Sequence, residues 1–192
     1  MKLNAPARIL LVAATCAAAL ITLVISEGAT RSSGQEVLIA MEAVDPRAIL
    51  SGHYVQINLT QRLTVPEQCP AQTEGDWVAL RQSGDRYIVA GGATSRDGAQ
   101  LIGLPVKGTF TCNAPTPASD GIEATPGWLN LDLHIDRFHT NQTDAQRIER
   151  ILREQRPDDT VRAFAIVSIG RDGRARLKGL QIDGERLELS WL

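Results

Sequence analysis

Residues 54–59 read Tyr-Val-Gln-Ile-Asn-Leu, and this short stretch decides the fold class of the chain. The side chains of Val55, Ile57 and Leu59 are apolar, and residues that form hydrogen bonds stand between them. Because successive side chains of a β-strand point to opposite faces, this alternation places all three apolar groups on one face. The stretch therefore predicts a half-buried strand in a β-rich domain.

The same period of two recurs along the chain after residue 35. Val37, Ile39 and Met41 alternate with their neighbours. Further strands are predicted at residues 77–80, 86–90, 100–112, 128–135, 161–169, 175–182 and 186–191. Glycine stands next to aspartate at Gly84, Gly98, Gly173 and Gly184, which favours tight turns between these strands.

One segment has a helical period instead. Residues 143–146 read Thr-Asp-Ala-Gln, the layout of a capping box, and apolar side chains then recur on one helical face through Ile148 and Ile151. Pro157 predicts an end to this helix near residue 155. The predicted fold class is therefore α+β: a mainly β, sandwich-like antiparallel sheet over residues 36–192 with one amphipathic helix, and an irregular loop at residues 114–127.

An apolar run precedes this domain. Residues 9–26 contain no charged side chain, and Lys2 and Arg8 stand just before them. A helix of this length spans a bilayer's hydrocarbon core of about 30 Å, and the preceding positive charges favour a cytoplasmic amino terminus. We therefore predict a cytoplasmic segment at residues 1–8, an inner-membrane anchor at 9–26, a polar linker at 27–35, and an extracytoplasmic domain in the periplasm or outside the cell.

A cleaved signal peptide is the alternative to an anchor. Residues 17–19 read Ala-Ala-Ala and fit a cleavage site, but the apolar run continues beyond them. The net charge of −2, with both signs interspersed, gives no basic patch for nucleic acid.

Two cysteines fall in the predicted extracytoplasmic part. Cys69 and Cys112 are expected to form a disulfide, because that compartment permits oxidation. The alternative is a pair of free buried thiols. Cys16 lies in the apolar run, where a small buried residue is expected.

Only one group of side chains suggests a metal. In a strand at residues 128–135 and just beyond it, Asp132, His134 and Asp136 would lie on one face, where two carboxylates and an imidazole are able to bind a divalent cation. A solvated polar face explains the same pattern without a metal. We assign no cofactor and no catalytic residue. The chain has no Gly-x-Ser-x-Gly nucleophile elbow, and the sequence around Ser51 and Lys107 does not support a catalytic Ser–Lys dyad.

Residues 44–59 resemble the signature of the bacterial GDYXXLXY domain family. The residues that carry the resemblance are Asp45, Pro46, Arg47, Gly52, His53 and Tyr54. The segment 135–138 with its following helix, and the closing segment 167–184, also resemble that family. His53 stands where the motif has aspartate, Ile57 where it has leucine, and Leu59 where it has its final tyrosine. The resemblance implies a membrane-anchored protein without an established reaction, often encoded beside multi-spanning membrane proteins.

Three hypotheses for the function follow. The first is a non-enzymatic interaction or accessory module for an integral membrane partner. The second is an exported hydrolase or metal-binding enzyme that uses His53 or the face of Asp132, His134 and Asp136. The third is a module that binds a small ligand or responds to envelope stress, and the sequence does not separate it from the first.

Overall fold

The structure is a computed structural model that describes residues 4–42, 54–118, 123–140, 142–154 and 163–188. The helices of this part are α1 (Ala5–Ser33), α2 (Arg96–Ile102) and α3 (Gln142–Glu154). The strands are β1 (Gln35–Glu42), β2 (Tyr54–Gln56), β3 (Asn58–Leu63), β4 (Trp77–Ser83), β5 (Arg86–Ala93), β6 (Leu104–Lys107), β7 (Thr109–Asn113), β8 (Gly127–Asp132), β9 (Arg137–His139), β10 (Ala163–Ile169), β11 (Ala175–Ile182) and β12 (Glu185–Glu188). The α+β class predicted from the sequence is confirmed.

The main sheet divides at β1. One path of paired strands runs β12-β11-β10-β1-β3-β8-β7, and β5, β4 and β6 branch from β1. Strand β1 pairs with β10 through its first six residues, with β5 at Ile39, and with β3 at Met41 and Glu42. The sheet is mainly antiparallel, as predicted, but β1 and β5 are parallel. Parallel neighbours require a crossover connection rather than a hairpin, so local turn signals do not reveal them.

The period of two marks the core correctly. Val37, Ile39 and Met41 are buried, as are Val55, Ile57 and Leu59 from the stretch that opened the sequence analysis. Strand β10 is buried at every position because it lies between β1 and β11. These strands form the centre of the domain.

The predicted strand at residues 100–112 was wrong in its first part. Residues 100–102 belong to α2, which begins because the Ser95 side chain accepts a hydrogen bond from the backbone N–H of Gly98 at 3.1 Å. Gly98 therefore lies inside a helix rather than in a hairpin turn. Strands β6 and β7 follow, separated at Gly108, where a Cβ would stand 2.3 Å from the carbonyl oxygen of Asp132.

The amphipathic helix is confirmed as α3. Ile148 is buried, Ile151 packs against the core, and the helix lies on β2. It begins at Gln142, so Thr143 lies in its first turn rather than at its cap. The smaller sheet of β2 and β9 lies beside it.

Helix α1 is longer than the predicted span. Residues 27–33, expected in a polar linker, instead continue the helix, and Gly34 alone separates it from β1. The hydroxyl of Thr30 donates to the carbonyl of Ser26 at 2.7 Å, and that of Ser32 donates to Ala29 at 3.0 Å, so these polar residues bond within the helix. By length and composition α1 is able to cross a bilayer, a test that an N-terminal signal sequence also passes.

Candidate functional site

The end of α1 is joined to the domain by an ion-pair network. Both oxygens of the Glu27 carboxylate accept hydrogen bonds from the guanidinium of Arg176, one of them at 3.3 Å. The same guanidinium donates to both oxygens of Asp172, at 3.2 and 3.3 Å. The Arg176 side chain is 13% exposed, so the two carboxylates nearly enclose it. This enclosure lowers the pKa of Asp172 and raises that of Arg176, because each charge is held by its opposite.

Further contacts join the last turn of α1 and Gly34 to the domain. The Arg31 guanidinium donates to the carbonyl of Lys178 at 3.2 Å. Gly34 fits so closely that a Cβ there would lie 2.1 Å from the hydroxyl oxygen of Ser168 and 2.9 Å from the carbonyl oxygen of Ile169. We call residues 27–35 of the chain, together with the hairpin residues 170–176, the helix–domain junction.

On β1, the Glu36 carboxylate continues the network across the sheet. It accepts hydrogen bonds from Lys178 at 2.8 Å and from Arg186 at 2.9 Å. The Arg186 hydrogen bond and then the Lys178 one lower the pKa of Glu36. Charges on β1, β11 and β12 are thus tied together just beyond the junction.

The other side of the hairpin tip is anchored to the domain. The carbonyl of Gly173 accepts a hydrogen bond from the backbone N–H of Lys107 at 2.8 Å. Gly173 has a φ of 76°, and a Cβ there would lie 2.5 Å from the Trp77 ring. The Lys107 ammonium lies 5.5 Å from the centre of the same ring. The hairpin tip is therefore held between α1 and the strands β4 and β6.

A cavity of about 890 Å³ opens beside the junction. Thr30 and Ser33 line it from α1, Arg96 and Gln100 from α2, and the hairpin contributes residues 170–172. Within the part of the chain that the structure describes, neither Arg96 nor Arg171 belongs to an ion pair. Arg96 and Arg171 thus line one cavity without an ion-pair partner among the described residues.

The structure does not align the three candidate metal-binding residues on one strand face. Strand β8 ends at Asp132, and His134 has a φ of 60°, so the alternation that would align these residues with Asp136 is broken. The break occurs because the Asp132 carboxylate accepts a hydrogen bond from the backbone N–H of His134 at 2.8 Å. Asp136 lies 3.5 Å from the guanidinium of Arg137 instead. Among the described residues, no group of three or more His, Cys, Asp or Glu side chains is placed to hold a metal ion.

Most of the family-motif residues lie outside the described residues. These are Asp45, Pro46, Arg47, Gly52 and His53, together with Ser51 of the considered dyad. Tyr54 opens β2, where it pairs with His139. Lys107 is engaged with Trp77.

The predicted disulfide is confirmed. Cys69 and Cys112 are bonded, and their Cα atoms are 5.9 Å apart. The bond connects the segment before β4 to β7. Cys16 is a free thiol exposed on α1 rather than buried within the chain.

Sequence reasoning missed the junction. Its polar residues had two signals: charges at Glu27 and Arg31 directly after the apolar run, and arginines at positions 171, 174 and 176 around the turn at Gly173. Neither signal says that the two segments meet.

The fold and the junction define a class of protein: a β-rich domain that continues without a flexible tether from an apolar N-terminal helix. The profile of the family described as GDYXXLXY protein matches residues 16–180. The chain therefore belongs to the GDYXXLXY family, whose function is not known. Comparison with curated proteins and with solved structures gave no match.

Proposed function

We propose that this protein is a single-pass, membrane-anchored accessory module that holds its β-rich domain at a fixed height and orientation beside an integral membrane partner. The observation that carries the proposal is the junction, where Glu27 and Arg31 bind the domain and Gly34 is the sole residue between helix and strand. A flexible tether would serve a domain that searches for a distant ligand. A rigid mount suits a domain whose partner lies at a constant position in the same membrane.

The disulfide supports an extracytoplasmic place for the domain. Such bonds persist in oxidising compartments and are rare in the cytosol. Cys69 and Cys112 both follow the apolar helix in the chain, and the positive charges at Lys2 and Arg8 precede it. This arrangement favours a cytoplasmic amino terminus and a domain in the periplasm or its equivalent.

The exposed surface of α1 supports a partner within the membrane. Large apolar side chains such as Leu10, Val12 and Val24 are exposed along the helix and do not contact the domain. In a bilayer these side chains face lipid or the helices of another protein.

Site-specific photo-crosslinking in intact cells tests the proposal. A photoreactive residue is placed at Val12 in α1 and, in a second variant, at Trp128, which is half-exposed on β8. We expect a discrete adduct with one integral membrane protein from at least one position. Insertion of four Gly/Ser residues after Ser33 should abolish the adduct formed through the domain while the chain stays in the membrane. Failure to form any adduct at either position, or an adduct through Trp128 that the insertion leaves unchanged, would contradict the rigid-mount proposal.

A further inference from the structure

We propose that the cavity beside the junction binds the phosphodiester headgroup of an anionic membrane phospholipid, held by Arg96 and Arg171. The inference deepens the proposed function and rests on its anchored helix. It names a lipid as the ligand of this cavity, in addition to the protein partner of the proposed function.

The height of the cavity above the membrane is the first argument. If residues 9–26 cross the hydrocarbon core, Thr30 and Ser33 lie about 6 and 10 Å beyond Ser26 at about 1.5 Å per residue. The headgroup layer extends about 5–8 Å on each side of the hydrocarbon. Both residues line the cavity, so it opens in or just above that layer.

The charge of the cavity wall is the second argument. Arg96 and Arg171 are exposed, line the same cavity from α2 and from the hairpin, and form no ion pair among the described residues. The cavity also contains Asp172 and Arg176, which form with Glu27 a group of net charge −1, so Arg96 and Arg171 leave the site with a net positive charge. Guanidinium groups are well suited to phosphate oxygens, which accept two parallel hydrogen bonds from one arginine.

An exposed apolar side chain on the same helix as Arg96 is the third argument. Leu101 follows the lining residue Gln100 on α2, does not itself line the cavity, and is 91% exposed. A leucine so exposed on a water-soluble surface gains nothing from its position, but at a membrane surface it enters the boundary between headgroups and acyl chains. A free phosphate ester has no acyl chain to contact such a residue, so an exposed leucine on the same short helix as Arg96 favours a lipid.

The hairpin tip is held rigidly enough to present Arg171. Gly170 packs against Thr30 of α1, where a Cβ would lie 3.3 Å from the Thr30 methyl group, and Gly173 is bonded to Lys107. Arg171 lies between these two fixed points. The position of the hairpin tip relative to the membrane is therefore set by the position of α1.

Native mass spectrometry of the full chain in detergent tests the site. The probes are phosphatidylglycerol and phosphatidylcholine with identical acyl chains, added at equal concentration. We expect phosphatidylglycerol to be retained about thirty-fold better, since each of the two arginines contributes about 1 kcal/mol at an anionic headgroup. The double variant Arg96→Gln/Arg171→Gln should lose this preference, and Leu101→Ser should lower retention of both lipids.

The matched control is Arg150→Gln. Arg150 is an exposed arginine on α3, a helix that packs on β2 and is joined through Arg147 to Glu185 at the start of β12. This variant should keep the preference. Equal retention of the two lipids by the natural chain, or an unchanged preference in the double variant, would overturn the proposal.

A competition arm separates a lipid from a soluble phosphate ester. Glycerophosphoglycerol carries the same phosphodiester without acyl chains and should displace the lipid only at a large excess. Displacement at equal concentration would overturn the lipid assignment. The assay reads the site in detergent without a protein partner, so its outcome is independent of whether the crosslinking experiment finds one.

Discussion

Glu27, one residue beyond the predicted apolar span, is bound by the guanidinium of Arg176, although 149 residues separate the two in the chain. The contact joins the β-rich domain to the end of α1. Asp172 binds the same guanidinium from the other side, so one largely enclosed cation links α1 to the β10–β11 hairpin. This arrangement fixes the domain against the end of α1.

Replacing Arg176 should loosen the contact between α1 and the domain. Arg176→Gln leaves Glu27 and Asp172 facing each other without their shared cation, and we expect a loss of about 1 kcal/mol, because Glu27 remains largely in solvent. Hydrogen exchange of the full chain in detergent should show faster exchange for the amides of residues 170–176. Arg150→Gln serves as the control, and equal protection of the hairpin in both variants would show that the ion pair is not what holds it.

Gly34 should tolerate no side chain. A Cβ there meets the Ser168 hydroxyl and the Ile169 carbonyl, so Gly34→Ala should destabilise the domain by about 1–3 kcal/mol through overpacking. Gly28→Ala is the matched control, because no atom lies within 4 Å of that position and alanine favours a helix by about 1 kcal/mol over glycine. Chemical denaturation should therefore move in opposite directions for the two variants. A common direction would refute the close fit at Gly34.

Ser168 offers a test of the same contact from the other strand. Its hydroxyl is fully buried and has no hydrogen-bond partner among the described residues. Ser168→Ala removes an unsatisfied polar group, so we expect stability to rise by up to about 1 kcal/mol. The double variant with Gly34→Ala should recover part of the loss, because the nearest of the clashing atoms is gone. A loss of stability in Ser168→Ala alone would indicate that the hydroxyl is bonded in solution.

Local patterns predicted the parts of the fold that depend on near neighbours. The period of two placed Val37, Ile39 and Met41 in the core, and the helical period placed Ile148 there. Each pattern reports on burial one element at a time. These patterns do not show which elements lie next to each other. The parallel pairing of Ile39 with Tyr87 was therefore not predicted.

The errors arose where one side chain overrides a pattern. The Ser95 cap converts an apolar stretch into α2, and the Asp132 carboxylate turns the backbone at His134 away from strand geometry. The junction was missed for a different reason. Glu27 and Arg176 look like ordinary exposed charges in the sequence, and their meaning depends on a contact between distant segments.

The disulfide predicts a definite count of thiols. The chain has three cysteines, so the denatured protein should show one reactive thiol without reductant and three with it. Cys69→Ser/Cys112→Ser should lower stability by about 4 kcal/mol on the chain-entropy argument. Cys16→Ser is the control and should leave stability unchanged. Three thiols in the absence of reductant would mean that the bond does not form in the cell.

Glu36 should make the stability of the domain depend on pH in the acid range. The hydrogen bonds from Arg186 and Lys178 lower its pKa in the folded state below the ordinary value of 4.5. The carboxylate therefore stabilises the fold fully above its unfolded pKa, and this contribution is lost as the pH falls through the folded pKa. In Glu36→Gln we expect lower stability at neutral pH, by about 1 kcal/mol, and a shallower decline between about pH 5 and pH 3 than in the natural chain. Denaturant titrations across that range measure both quantities, with Glu74→Gln, an exposed residue before β4, as the control. Parallel pH profiles for the natural chain and Glu36→Gln would show that the carboxylate stays equally solvated in both states, and the network from β1 to β12 would then contribute nothing to folding.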